Sequence, residues 1–128
     1  MKTDKFNLFF SITLLLLILI INNNKKYDNF FIDYSEAKLE SLKQNKLLFI
    51  CFNSSLSNQE ISDFKKIKNN YIVCILDLEK DKEVFDKYNI KEIPTYAIID
   101  PVKKEICIEE GHKEKKKLFE WLNQFRKN

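Results

Sequence analysis

Apolar and polar positions divide the chain into two unlike parts. From Phe6 to Ile21 it is almost wholly apolar, with Lys2 and Lys5 before the run and Asn22-Asn23-Asn24-Lys25-Lys26 after it. A charged start followed by a short apolar stretch describes a secretory signal or a signal anchor. The run has no polar face, which a helix packed in a small domain needs. It is slightly shorter than the roughly 20 residues of a comfortable membrane span. Ile20-Ile21-Asn22 offers no small-x-small cleavage site and no Cys follows to carry a lipid, which favours an uncleaved anchor over a cleaved signal. The expected organisation is a signal anchor or signal peptide over 1–21, a linker over 22–28 and one folded domain over 29–128. Lysines flank the run on both sides, so charge alone does not orient it. A short N-terminal flank followed by a domain implies a domain outside the cytoplasm, in a periplasm or a secretory-pathway lumen, or secreted if the signal is cleaved.

Beyond the linker, strand-like and helix-like patterns alternate. Residues 29–33 form a candidate first strand. Residues 35–44 are helix-like, with Ala37, Leu39 and Leu42 as apolar positions and Ser35 as a candidate N-cap. Lys46–Phe52 is a continuous apolar run of strand length, as expected of a strand buried on both faces. Residues 58–68 carry Ile61, Phe64 and Ile67 at helical spacing. Tyr71–Leu78 reads as a second buried strand and 81–88 as a short helix. Residues 95–100 and 105–109 read as two strands joined by a turn at Asp100-Pro101. In 113–126, Leu118, Trp121, Leu122 and Phe125 follow the i, i+3, i+4, i+7 rule of an amphipathic helix. The order β-α-β-α-β-α-β-β-α implies parallel pairs, a closing antiparallel hairpin, and a mixed sheet with helices on both faces.

Composition narrows the chemistry. Lys plus Arg number 22 against 19 Asp plus Glu, an excess of +3 that is too small and too evenly spread to argue for nucleic acid. A single Gly excludes Gly-rich phosphate loops. Cys51, Cys74 and Cys107 are too widely spaced for a disulfide framework or a Cys-x-x-Cys pair. With His112 as the one histidine there is no Cys/His metal-ligand spacing, so neither metal nor cofactor is expected. Cys51 and Cys74 fall in apolar strand runs and are expected to be buried and inert.

Four stretches carry a family resemblance: Asp33-Tyr34-Ser35-Glu36-Ala37 through Lys46; Leu47 to Leu56; Val73 to Asp77 followed by Tyr88-Asn89-Ile90-Lys91-Glu92-Ile93-Pro94-Thr95-Tyr96; and Gly111 with the final helix. In this order the domain resembles the thioredoxin-like superfamily, and within it the membrane-tethered thiol:disulfide interchange domains. The resemblance implies a three-layer α/β/α sandwich with a mixed central sheet. It also implies a cis peptide bond before Pro94 and a loop there that faces the active site and pairs with extended peptides.

The family's chemistry needs a Cys-x-x-Cys where the second domain helix begins, because helix amides and the dipole stabilise the attacking thiolate. By resemblance those positions are Ser57 and Glu60. Leu56 stands where the family usually has Trp, and Cys51 where many active members bury an acid. A serine without a general base is a poor nucleophile. Ser57-Asn58-Gln59-Glu60 instead reads as a capping box. The resemblance therefore implies a redox-inactive domain with no catalytic residue, working through protein or peptide contact. Leu56, Ser57, Ile93, Pro94 and Thr95 are the candidate contact residues, and residues 6–21 contact the membrane. The alternative is an atypical thiol:disulfide oxidoreductase that uses Cys51, Cys74 or Cys107 with a partner's cysteine.

Overall fold

The computed structural model describes residues 2–23 and 30–125. Most of the linker expected over 22–28, Asn29 of the first expected strand, and the end of the last helix lie outside the described residues. Helix α1 runs over Lys2–Asn23, two residues into the expected linker. Its large apolar side chains, from Leu8 and Phe9 to Leu16 and Leu17, are exposed. Among the described residues, no helix is long and apolar enough to cross a membrane.

The domain continues with α2 (Tyr34–Gln44), β1 (Leu47–Phe52), α3 (Asn58–Ile67), β2 (Tyr71–Leu76), α4 (Lys82–Lys87), β3 (Thr95–Asp100), β4 (Glu105–Glu110) and α5 (Lys115–Asn123). The four strands form one sheet in the order β2-β1-β3-β4. Only β1 and β2 are parallel; β3 is antiparallel to β1, with Phe52 opposite Thr95, and β4 is antiparallel to β3. Alternation of strands and helices had implied more parallel pairing. The connection between β2 and β3, residues 77–94, includes only one short helix, α4. Its six residues rise about 9 Å, whereas a six-residue strand spans about 20 Å. Strand β3 starts at the end of the sheet where β1 and β2 finish, and the chain reaches it through α4 and the loop before Pro94 without recrossing the sheet.

The expected first strand reduces to a single parallel bridge of Phe31 with Cys74, in which the Phe31 amide donates to Val73 O at 2.9 Å and the Ile75 amide to Phe31 O at 2.8 Å. Helix α2 also departs from its expected form. Its N-cap is Asp33, not Ser35, and the Asp33 carboxylate accepts from the Glu36 amide at 2.9 Å. Leu39 and Leu42 are exposed, and Ala37 and Ser41 face the sheet instead. Two small residues at i, i+4 let the helix backbone lie close to β1 and β2. The buried Ser41 hydroxyl is satisfied by donating to the Lys46 carbonyl.

Strand alternation sorts the core into two layers. Phe49 and Cys51 of β1, Val73 and Ile75 of β2, and Tyr96 and Ile98 of β3 pack with Phe64 and Ile67 of α3 and Leu118, Trp121 and Leu122 of α5. On the other face, Leu48, Ile50, Phe52, Cys74, Leu76, Ala97 and Ile99 pack with Ala37 of α2 and Phe85 of α4. Cys51 and Cys74 are thus on opposite sides of the sheet. Strand β4 is the half-covered edge: Cys107 packs on the α3/α5 layer, while Ile106 and Ile108 are exposed on the other face. The turn before β4 is held by the Asp100 carboxylate, which accepts from the amides of Val102 and Lys103, each at 3.1 Å.

Candidate functional site

The site expected from the sequence lies where β1 and β2 end and α3 and β3 begin. The chain leaves β1 through Asn53, whose amide donates to Leu76 O at 3.0 Å and whose side-chain oxygen accepts from the Ser54 amide at 2.8 Å. Leu56 then drops into the α3/α5 core, and Ser57 caps α3. The capping box is complete. Ser57 Oγ accepts from the Glu60 amide at 3.1 Å, and Glu60 Oε1 accepts from the Ser57 amide at 3.1 Å. The other Glu60 oxygen, Oε2, is buried with no hydrogen-bond partner among the described residues.

Beneath this cap lies an arrangement that spacing alone had not revealed. Cys51 is paired with Tyr96 across β1 and β3, and both side chains face α3. Burial, then the negative charge of Glu60 and the second thiol at Cys74, push the Cys51 thiol well above its ordinary pKa. Burial also raises the Cys74 thiol, helped by Asp81 and Asp33. Tyr96 is pushed up to about 12, mainly by burial and next by Cys51, against a hydrogen bond with the Lys113 backbone that works the other way. The consequence is chemical. A thiol that is neutral and sealed under a carboxylate is a poor nucleophile.

The second wall is the loop before β3. The Ile93–Pro94 bond is cis, as expected. Pro94 O accepts from the Gly111 amide at 2.9 Å, which ties this loop to the end of β4. Gly111 has φ of +93°, a conformation that suits glycine. Thr95 Oγ1 donates to Glu92 O at 2.6 Å and is fully buried. Ile93 is 39% exposed, and its backbone N–H and C=O have no intramolecular hydrogen bond among the described residues.

Of the five candidate contact residues, the structure brings Ser57, Ile93 and Pro94 to the surface and buries Leu56 and Thr95. These two residues shape the site from below and offer it no contact area. A cavity of about 280 Å³ beside the cap is lined by Ser57, Glu60, Asp63, Tyr96, His112 and Lys113, among others. Asp63 is buried, and Gln59 Nε2 donates to its Oδ1 at 2.9 Å. Tyr96 and Asp63 were both missed from the sequence. Strand alternation from Thr95 put Tyr96 within reach of such a reading, whereas nothing in the helical pattern marks Asp63 as buried. Lys113 pairs with Glu109 and lies over the Trp121 ring, 5.6 Å from its centroid. Cys107 stands apart from the site on β4, half-buried against the core. Among the described residues no group of His, Cys, Asp or Glu could hold a metal ion.

No protein-family model and no curated protein matches the chain's sequence. Solved structures do match its shape. A point-mutant thioredoxin from Halobacterium salinarum superposes with a TM-score of 0.62 at 10% identity, covering 77% of this chain and 90% of its own. Thioredoxin NaTrxh from Nicotiana alata gives 0.60 at 17% identity, covering 73% and 85%. Thioredoxin O2 from Arabidopsis thaliana, in its oxidized state, gives 0.58 at 14% identity, covering 77% and 95%. The fold is thioredoxin-like. Within this thioredoxin-like domain, Ser57 and Glu60 hold each other at the start of α3, and the Ile93 backbone, unpaired among the described residues, lies in the loop beside Pro94. Identity this low shows the fold alone, so activity has to be argued from the site itself.

Proposed function

We propose that this chain is a thioredoxin-like protein that binds an extended segment of another polypeptide and does not exchange disulfides. It is held at a membrane by α1, with the domain outside the cytoplasm. The observation that carries the reading is Ile93, which offers an exposed side chain and an unpaired backbone donor and acceptor beside Pro94. An extended segment laid along this backbone gains main-chain hydrogen bonds, and the Ile93 side chain and the exposed Ser57 add contacts. The chemistry of the cap supports the absence of redox work. Ser57 and Glu60 cannot form a disulfide, and the Cys51 and Cys74 thiols are buried and held neutral. The exposed apolar side chains of α1 support a lipid contact, because they surround the helix and leave it no polar face. The apolar run is short for a full span, and its anchoring role rests on that exposure.

A photoreactive side chain placed at Ser57 tests the binding. It should crosslink a partner polypeptide in the wild-type background and lose it with Ile93→Asp, which changes an exposed position. Equal crosslinking in both backgrounds would overturn the groove. The alternative redox reading has one observation in its favour, the partial exposure of Cys107. It predicts that the purified protein speeds reduction of a model disulfide by added glutathione, through a mixed disulfide on Cys107 that the glutathione thiol resolves, and that Cys107→Ser abolishes this. The binding reading predicts no such activity.

A further inference from the structure

Helices α3 and α5 lie against the same core layer, and Asp63 of α3 and Lys115 of α5 line one cavity between them. The fold thereby gathers exposed lysines that are far apart in sequence: Lys65 and Lys66 on α3, and Lys115, Lys116 and Lys117 on α5. The acids of α3 answer them only in part, since Glu60 is held in its cap and Asp63 is buried against Gln59. Exposed acids along α5 amount to Glu120, with Glu114 at its N-cap. Lys65 and Lys66 suit the C-terminal dipole of α3. The three lysines of α5 do not suit theirs, because they fill the first turn, where the dipole favours anions and no acidic residue is present. Lys115 crowds Lys66 closely enough to lower its pKa, with Asp63 only partly opposing.

The path of the chain supplies the occupant. Phe30, the first described residue after α1, packs its ring on the buried Phe64 of α3 with centroids 6.3 Å apart. The domain therefore begins against α3, one of the two helices that carry these lysines, and Lys25 and Lys26 precede it in the sequence.

We propose that the α3/α5 face docks on an anionic lipid bilayer, with Lys65, Lys66 and Lys115 to Lys117 meeting its negatively charged headgroups. This rests on the reading of α1 as the membrane contact. Polybasic surfaces gain affinity from the negative potential of such a leaflet, roughly fivefold for each lysine near it. Docked on this face, the domain holds the surface near Ile93 at a fixed height above the lipid.

The one Trp of the chain, Trp121 on α5, is the reporter. The full chain is bound to vesicles carrying a dansyl-labelled headgroup lipid, and energy transfer from Trp121 is measured. Phosphatidylcholine vesicles are compared with vesicles enriched in phosphatidylserine. The expected result is binding to both, with higher transfer on the anionic vesicles. High salt should remove that excess, as should Lys66→Glu with Lys115→Glu. The control is Lys43→Glu with Lys82→Glu, which makes the same charge change at exposed positions on α2 and α4 and should keep the excess. Equal transfer on both lipids, or an equal loss in the control, would overturn the docking while leaving α1 as the anchor. Failure to bind phosphatidylcholine vesicles would overturn the anchor. Salt-sensitive transfer confined to phosphatidylserine vesicles would then still support the basic face by itself.

Discussion

Cys51 on β1 lies directly across from Tyr96 on β3, both are buried, and both feel the charge of Glu60 at the start of α3. This relationship decides what the site can do. It places a neutral thiol where water and electrophiles do not reach and puts the carboxylate above it into service as a helix cap.

Thiol accessibility should follow that geometry. Alkylation of the native protein, read by intact mass, should modify Cys107 alone, and denaturation should add Cys51 and Cys74. Rapid native modification of Cys51 would mean that the cap opens, and would return the site to redox chemistry.

Ser57→Ala should cost about 1 kcal/mol of stability in urea unfolding, the usual worth of an N-cap hydroxyl. Glu60→Gln should cost less, because its amide oxygen can still accept from the Ser57 amide while an uncharged amide NH2 replaces the buried, unpartnered carboxylate oxygen. A larger loss for Glu60→Gln than for Ser57→Ala would mean that the charge is needed and that the cap is more than structural.

The two faces of α2 should respond oppositely to substitution. Ala37 is fully buried, so Ala37→Leu should cost about 1–3 kcal/mol through overpacking against β1 and β2. Leu39 is 68% exposed, so Leu39→Ser should change stability by less than about 0.5 kcal/mol. Thermal unfolding of the two variants distinguishes this placement from the one the apolar pattern had implied.

Stability should fall at high pH in a way that Tyr96 helps to set. Its folded pKa is raised from 10.0 to about 12, so the folded state keeps a proton that the unfolded state has released. The stabilisation is fully present below pH 10 and is lost as pH rises from there to about 12. The buried thiols act in the same direction. Tyr96→Phe should flatten the decline over this window in urea titrations at successive pH values. An unchanged slope would show that Tyr96 ionises as readily in the folded protein as in the unfolded one.

Much of this protein was legible in the sequence because the signals were local. The capping box at Ser57 to Glu60, the continuous apolar runs of β1 and β2, the amphipathic stripe of α5 and the cis bond at Pro94 each depend on residues close together in the chain, or on a motif that the resemblance carried. The resemblance also supplied the thioredoxin-like layout. What failed depended on distance. The apolar pattern of α2 pointed to Leu39 and Leu42, but the close approach to the sheet required Ala37 and Ser41, and no short-range periodicity shows which face a sheet will accept. The direction of β3 rests on its pairing with β1, which places Thr95 opposite Phe52, a contact between residues far apart in the chain. The burial of Leu56 and Thr95, the juxtaposition of Cys51, Tyr96 and Glu60, and the crowding of Lys66 by Lys115 exist only once β1, β3, α3 and α5 have packed. Burial and electrostatics act through space, and the chain's sequence orders its residues along a line.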